Sequence, residues 1–78
     1  MLKKEKKIVV TFYTSSEAMA LEKVCKKNSI KGELISAPRE ITSDCGISYA
    51  AEISEKVNIE KLLKDNKIDF DTIYEIDI

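Results

Sequence analysis

Residues 32–53 read GELISAPREITSDCGISYAAEI, two strand-like runs joined without a helix between them. Pro38 ends the first run, because proline offers no N–H to a sheet ladder and biases Ala37 toward an extended conformation. REITSD then reads as a loop. CGISYAAEI, with its β-branched and aromatic residues, reads as the next strand. Two consecutive strands in the middle of a small chain decide the topology once their flanks are known.

Upstream, KKIVVTFYT is rich in β-branched and aromatic residues and predicts a strand over about residues 6–13. TSSEAMALEKVCKKN follows, with Thr14, Ser15 and Ser16 as N-cap candidates, and Thr14 stands three before Glu17 in capping-box spacing. Ala18, Leu21, Val24 and Cys25 recur at helical spacing, and Asn28 closes the segment. IKGELISAP is the second strand and CGISYAAEI the third. NIEKLLKDN predicts a second helix with Asn58 as N-cap candidate and an Ile59, Leu62, Leu63 stripe, and FDTIYEIDI predicts the fourth strand.

The order is β-α-β-β-α-β. This is the α+β, ferredoxin-like split βαβ arrangement: a four-stranded antiparallel sheet in the order 4-1-3-2 with two helices on one face. With 78 residues it is expected to form one domain, residues 1–78. Apolar residues at 44% and charged residues at 35% fit a folded chain rather than a disordered or membrane-embedded one.

Net charge is −1, but its distribution is uneven: residues 1–39 carry nine Lys or Arg against four acids, residues 40–78 four against ten. In this topology the start of the first strand lies beside the end of the fourth. Lys3, Lys4, Lys6 and Lys7 are therefore expected to face Asp71, Glu75 and Asp77, and a basic binding arm is the other reading. Neither the charge nor any RNA-recognition aromatic signature points to nucleic acid. No apolar run has transmembrane length and no signal-peptide pattern follows MLKKEKK, so no membrane association and a cytoplasmic location are expected.

There is no His, which removes Ser–His and Cys–His nucleophile pairs and imidazole metal ligands. Cys25 and Cys45 are twenty residues apart, so there is no CxxC pair. No metal and no cofactor are expected. The topology sends Cys45 to the end of the sheet where the first helix begins and Cys25 toward the other end, so an internal disulfide is not expected.

Cys25 sits on the apolar stripe and reads as core packing. Cys45 stands where a polar loop enters a central strand, at the end where Thr14, Ser15 and Ser16 open the first helix. A thiolate is favoured beside helix N–H groups, Arg39 would add positive charge, and the Ser43, Ser15 and Ser16 hydroxyls would donate hydrogen bonds. Gly46 would let a partner backbone approach. The plainer reading of Arg39, Ser43 and the serines is a solvated loop and a helix cap, and of Gly46 a turn or bulge requirement.

The helix TSSEAMALEKVCKKNSI, the segment LISAPREITSDCGISYA and the closing YEI together resemble the selenium/sulfur (Se/S) carrier-like family, with PREITSDCG as the most specific part. The likeness runs over nearly the whole chain from about residue 7. It implies that Cys45 is a carrier thiol holding sulfur or selenium as a persulfide or selenide adduct, with Pro38, Arg39, Ser43 and Gly46 as its supporting loop. It also implies sulfur or selenium donor and acceptor proteins as partners. The basic MLKKEK and Cys25 lie outside the family pattern. With no His as general base, a stoichiometric carrier is expected rather than a turnover enzyme. Two other readings remain: a non-catalytic interaction or small-ligand-binding module, with a homodimer through the open sheet face, and a redox sensor in which Cys45 oxidises to sulfenic acid.

Overall fold

The structure, a computed structural model, describes residues 6–37, Ile41 and residues 46–77. Its elements are β1 (Lys6–Thr11), α1 (Ser15–Lys27), β2 (Gly32–Ser36), β3 (Ile47–Glu52), α2 (Lys56–Asp65) and β4 (Ile73–Asp77), with a single 3₁₀ turn, Ile53–Glu55, leading into α2. All strand pairs are antiparallel and the sheet order is β2-β3-β1-β4. The ferredoxin-like α+β arrangement is therefore the fold of this chain.

Alternation along β1 sorts its side chains. Ile8, Val10 and Phe12 are fully buried toward the helices, where Ala18, Leu21 and Cys25 of α1 and Ile59 and Leu63 of α2 complete the main core with Tyr49 and Ala51 of β3. Val9 points the other way. Burial of each large aliphatic side chain contributes about 1.5–3 kcal/mol, so this one face carries most of the stabilisation.

Thr14 caps α1 as its spacing predicts: its hydroxyl accepts the Glu17 N–H, and Glu17 Oε1 accepts the N–H of Thr14 at 3.2 Å. Asn28 closes the helix, its side chain donating to the Val24 carbonyl at 2.8 Å. The second helix starts earlier than NIEKLLKDN predicts. Glu55, at the end of the 3₁₀ turn, is the N-cap, and Asn58 lies inside the first turn, donating from Nδ2 to Glu55 Oε1 at 2.9 Å.

The basic start of the chain meets the acidic end differently from expectation. Lys6 does stand opposite Asp77 in the ladder, but Glu75 pairs with Lys56 at 2.6 Å. Glu75 shares the face of Ile8, beneath the start of α2, so the lysine of that helix reaches it. Asp71 lies at the opposite end of the sheet, its N–H bonded to the Thr11 carbonyl. Lys3 and Lys4 lie outside the described residues.

Candidate functional site

The β2–β3 connection is closed at its neck by a hydrogen bond from the Ala37 N–H to the Gly46 carbonyl at 3.0 Å. Of the residues singled out by sequence, Pro38, Arg39, Ser43 and Cys45 lie outside the described residues, and Gly46, Thr14, Ser15 and Ser16 within them. Gly46 has φ +73°, in the left-handed region that a Cβ disfavours. It is exposed, and among the described residues a Cβ built on it would meet nothing within 4 Å. The turn requirement is thus real.

Inside the connection, Ile41 is 6% exposed and packs against Val9 and Ala50 on the sheet face away from the helices, with Ile35, Tyr74 and Ile76 around it. This side chain, the one aliphatic residue of REITSD, covers part of the face that the topology alone leaves open. Sequence reading treated the segment as a polar loop. The signal for an anchor was that single isoleucine, which has no periodic neighbours to mark it.

Ser48 was also missed. It is fully buried, and among the described residues its Oγ has no hydrogen-bond partner. It stands between Thr11 of β1 and Ile35 of β2 in the two ladders and two residues before Ala50 on the same strand, so it shares the face of Ile41. Its neighbour Thr11 behaves differently: the Thr11 hydroxyl donates to the Thr72 carbonyl at 3.3 Å and accepts the Thr72 N–H at 3.1 Å.

Thr14, Ser15 and Ser16 are exposed at the end of the sheet where Thr11 pairs with Ser48, the end that also holds Gly46. Helix α1 itself packs on the face of Ile8 and Val10, opposite the face of Ile41. The positive end of the helix already holds an anion, since Glu17 Oε1 accepts the N–H groups of both Tyr13 and Thr14 at 3.2 Å.

The second thiol is placed as predicted. Cys25 is fully buried, and burial pushes its pKa upward; the Tyr49 hydroxyl donates to its sulfur, which works against that rise, and Glu55 adds to it. Tyr49 is raised as well, first by burial and then by its bond to Cys25. A neutral, enclosed thiol of this kind is a poor nucleophile. Among the described residues no three His, Cys, Asp or Glu side chains gather as a metal-ligand set, and no helix is long and apolar enough to cross a membrane.

Comparison with known proteins gives one finding. A family model described as "Putative Se/S carrier protein-like" matches residues 7–75, from β1 through most of β4 and across the whole β2–β3 connection. No match was found among curated proteins or among solved structures.

Proposed function

This chain belongs to the Se/S carrier protein-like family, and from that membership we propose that it accepts sulfur or selenium on Cys45 and passes it between partner proteins. The observation that carries the choice of residue is the burial of Cys25. With one of the two thiols enclosed and bonded to Tyr49, Cys45 is the sulfur left for exchange.

The proposed loading step is a sulfane-sulfur transfer. The Cys45 thiolate attacks the outer sulfur of a donor persulfide; a new S–S bond forms on Cys45, the donor's S–S bond breaks, and the donor leaves as a thiolate. Unloading is the same exchange in reverse sense, with an acceptor nucleophile taking the outer atom and Cys45 leaving as thiolate. A donor whose outer atom is selenium transfers it by the same displacement. Neither step consumes an oxidant, and neither needs a general base, so the protein acts stoichiometrically between donor and acceptor proteins. Arg39 and the Ser43 hydroxyl are assigned to support the anionic sulfur, and Gly46 to admit the partner. The exchange is assigned to the cytoplasm, where cysteine thiols persist reduced.

Glutathione persulfide offered to the protein, followed by intact mass measurement and peptide mapping, tests this reading. One added sulfur on Cys45, retained in Cys25→Ser and lost in Cys45→Ser, is expected. An increment on Cys25, or none in the native protein, overturns it.

A second reading keeps support from one observation: Ile35, Tyr74 and Ile76 are partly buried around the Ile41 cluster and continue the apolar surface of that face. A homodimer closing over it is the form this reading takes. Light scattering across concentration decides it, because a mass that stays at one chain removes the dimer.

A further inference from the structure

The sheet has two edges, β2 and β4, and a second strand would meet different things at each. The bond from the Ala37 N–H to the Gly46 carbonyl is in register with the β2–β3 ladder. Hydrogen-bonded pairs alternate along an antiparallel ladder, so Ile35–Ser48 and Glu33–Ala50 are bonded pairs, and the backbone groups of Gly32, Leu34 and Ser36 point away from β3. Among the described residues nothing bonds to those outward groups. Leu34 is half-buried against the main core, and Ile35 is half-buried on the opposite face, so aliphatic surface remains at this edge on both sides of the sheet.

We propose that the β2 edge pairs with the β2 edge of a second copy of this chain, antiparallel about a two-fold axis through Leu34, so that two sheets join into one. In that register Leu34 stands opposite its own copy, Gly32 opposite Ser36 and Glu33 opposite Ile35. The outward N–H and C=O groups of Gly32, Leu34 and Ser36 are then the ones that bond across the axis. No like charges meet, and the two leucines cover each other on the helix face. A slip of two residues in one direction sets Glu33 opposite Glu33, and in the other it carries Gly32 past the end of the strand. Side-chain pattern thus selects one register. The β4 edge is defended against the same event. Complete overlap of two β4 strands would put Glu75 against Glu75, and slips of two residues would bring Asp71 or Glu75 against Asp77.

A strand of five residues makes a small interface, so the dimer belongs to the weak, concentration-dependent class. Light scattering and residue-resolved amide hydrogen exchange of the full chain, from micromolar to millimolar concentration, test the pairing. The mass is expected to climb from one chain toward two. Exchange at the Gly32, Leu34 and Ser36 N–H groups should slow in step with it, about tenfold where about nine chains in ten are paired, while Glu33 and Ile35, already bonded to β3, change less. Ser36→Pro removes an outward donor and keeps the bonds to β3, since an edge strand accepts proline where its N–H faces away from the ladder. Its mass should stay at one chain where the native protein is paired, with an unchanged urea midpoint. A native mass that stays at one chain, or that grows past two into a filament, overturns the proposal. So does a dimer in which the Leu34 N–H exchanges equally fast at every concentration, the result expected if the copies close over the sheet face instead. These native readings decide the matter even if Ser36→Pro fails to fold; a folded Ser36→Pro that pairs as the native protein does also overturns it.

Discussion

The backbone N–H of Ala37 meets the carbonyl of Gly46 at 3.0 Å, so the two ends of the β2–β3 connection are held together where the ladder stops. That closure uses Gly46 at φ +73°, a conformation costing an L-residue about 1–2 kcal/mol. Because no described residue stands within 4 Å of a Cβ there, Gly46→Ala is expected to lose only this conformational amount, and Gly46→Asn less. Gly32 is the contrasting case. A Cβ on it would lie 2.5 Å from the Tyr49 hydroxyl oxygen and 2.6 Å from the ring carbon bearing it, so Gly32→Ala must displace a buried ring, at about 1–3 kcal/mol. In urea titrations Gly32→Ala should also release the Tyr49 bond to Cys25, seen as faster labelling of Cys25; Gly46→Ala should leave that labelling unchanged.

Among the described residues Ile41 fastens the connection to the sheet, and its contacts predict a graded response. Ile41→Ala leaves Val9 and Ala50 partly uncovered and is expected to lower stability by about 2 kcal/mol, whereas Ile41→Val should cost about 1 kcal/mol. Limited trypsin digestion adds a local readout, because Arg39 stands two residues before the anchor. Cleavage after Arg39 should accelerate in Ile41→Ala by more than the loss of global stability accounts for. Equal acceleration at all tryptic sites would mean that Ile41 supports the whole fold rather than the connection.

Which of these features the sequence discloses depends on how local their causes are. The capping box at Thr14 and Glu17 is written in four consecutive residues, and the burial of Ala18, Leu21 and Cys25 follows from helical period, so both were legible. The strand order followed from two adjacent strands between helices. Asn58 misled because a 3₁₀ turn, which has no strong sequence signature, carries the chain into α2 three residues early. Glu75 misled because strand register predicts a neighbour across the ladder but not a lysine arriving from a helix above it. Ile41 and Ser48 were illegible for the same physical reason: one apolar residue in a polar run and one serine in a strand acquire meaning only from the tertiary surface they meet.

The Lys56–Glu75 pair predicts a pH and salt response without a large share of the stability, since both side chains reach solvent. The hydrogen bond and charge of Lys56 hold Glu75 below its ordinary 4.5, and Glu75 in turn raises Lys56 above 10.5. For Glu75 the stabilising contribution is present above pH 4.5 and fades as pH falls through the lower folded value. For Lys56 it is present below pH 10.5 and fades as pH rises through the higher folded value. Lys56→Gln should flatten both limbs in pH-dependent urea titrations, and 1 M salt should shrink the difference between variant and native protein. An acid limb unchanged by Lys56→Gln would assign acid sensitivity to other carboxylates.

The pairing of Cys25 with Tyr49 predicts where stability fails at high pH. Both groups are held protonated by burial, so in the folded chain they ionise above their ordinary values of 9.0 and 10.0, whereas in the unfolded chain they ionise at those values. Between the unfolded and folded values the unfolded state holds fewer protons, and stability therefore declines as pH rises. Below pH 9.0 the contribution is complete; the decline should begin near 9.0 with Cys25 and steepen near 10.0 as Tyr49 joins. Cys25→Ala should delay the onset to that of Tyr49, at a cost near neutral pH of about 1–2 kcal/mol for the lost volume and the unpartnered phenol. Tyr49→Phe keeps the ring against Gly32 and should cost about 1 kcal/mol while removing the upper part of the decline. The same enclosure bears on the proposed carrier chemistry. Labelling of Cys25 in the native protein should proceed only as fast as the chain opens, so that a rate tracking urea concentration and not thiolate fraction identifies it. A Cys25 that labels with the pH dependence of a free thiol would put two reactive sulfurs in the protein and remove the argument that singles out Cys45.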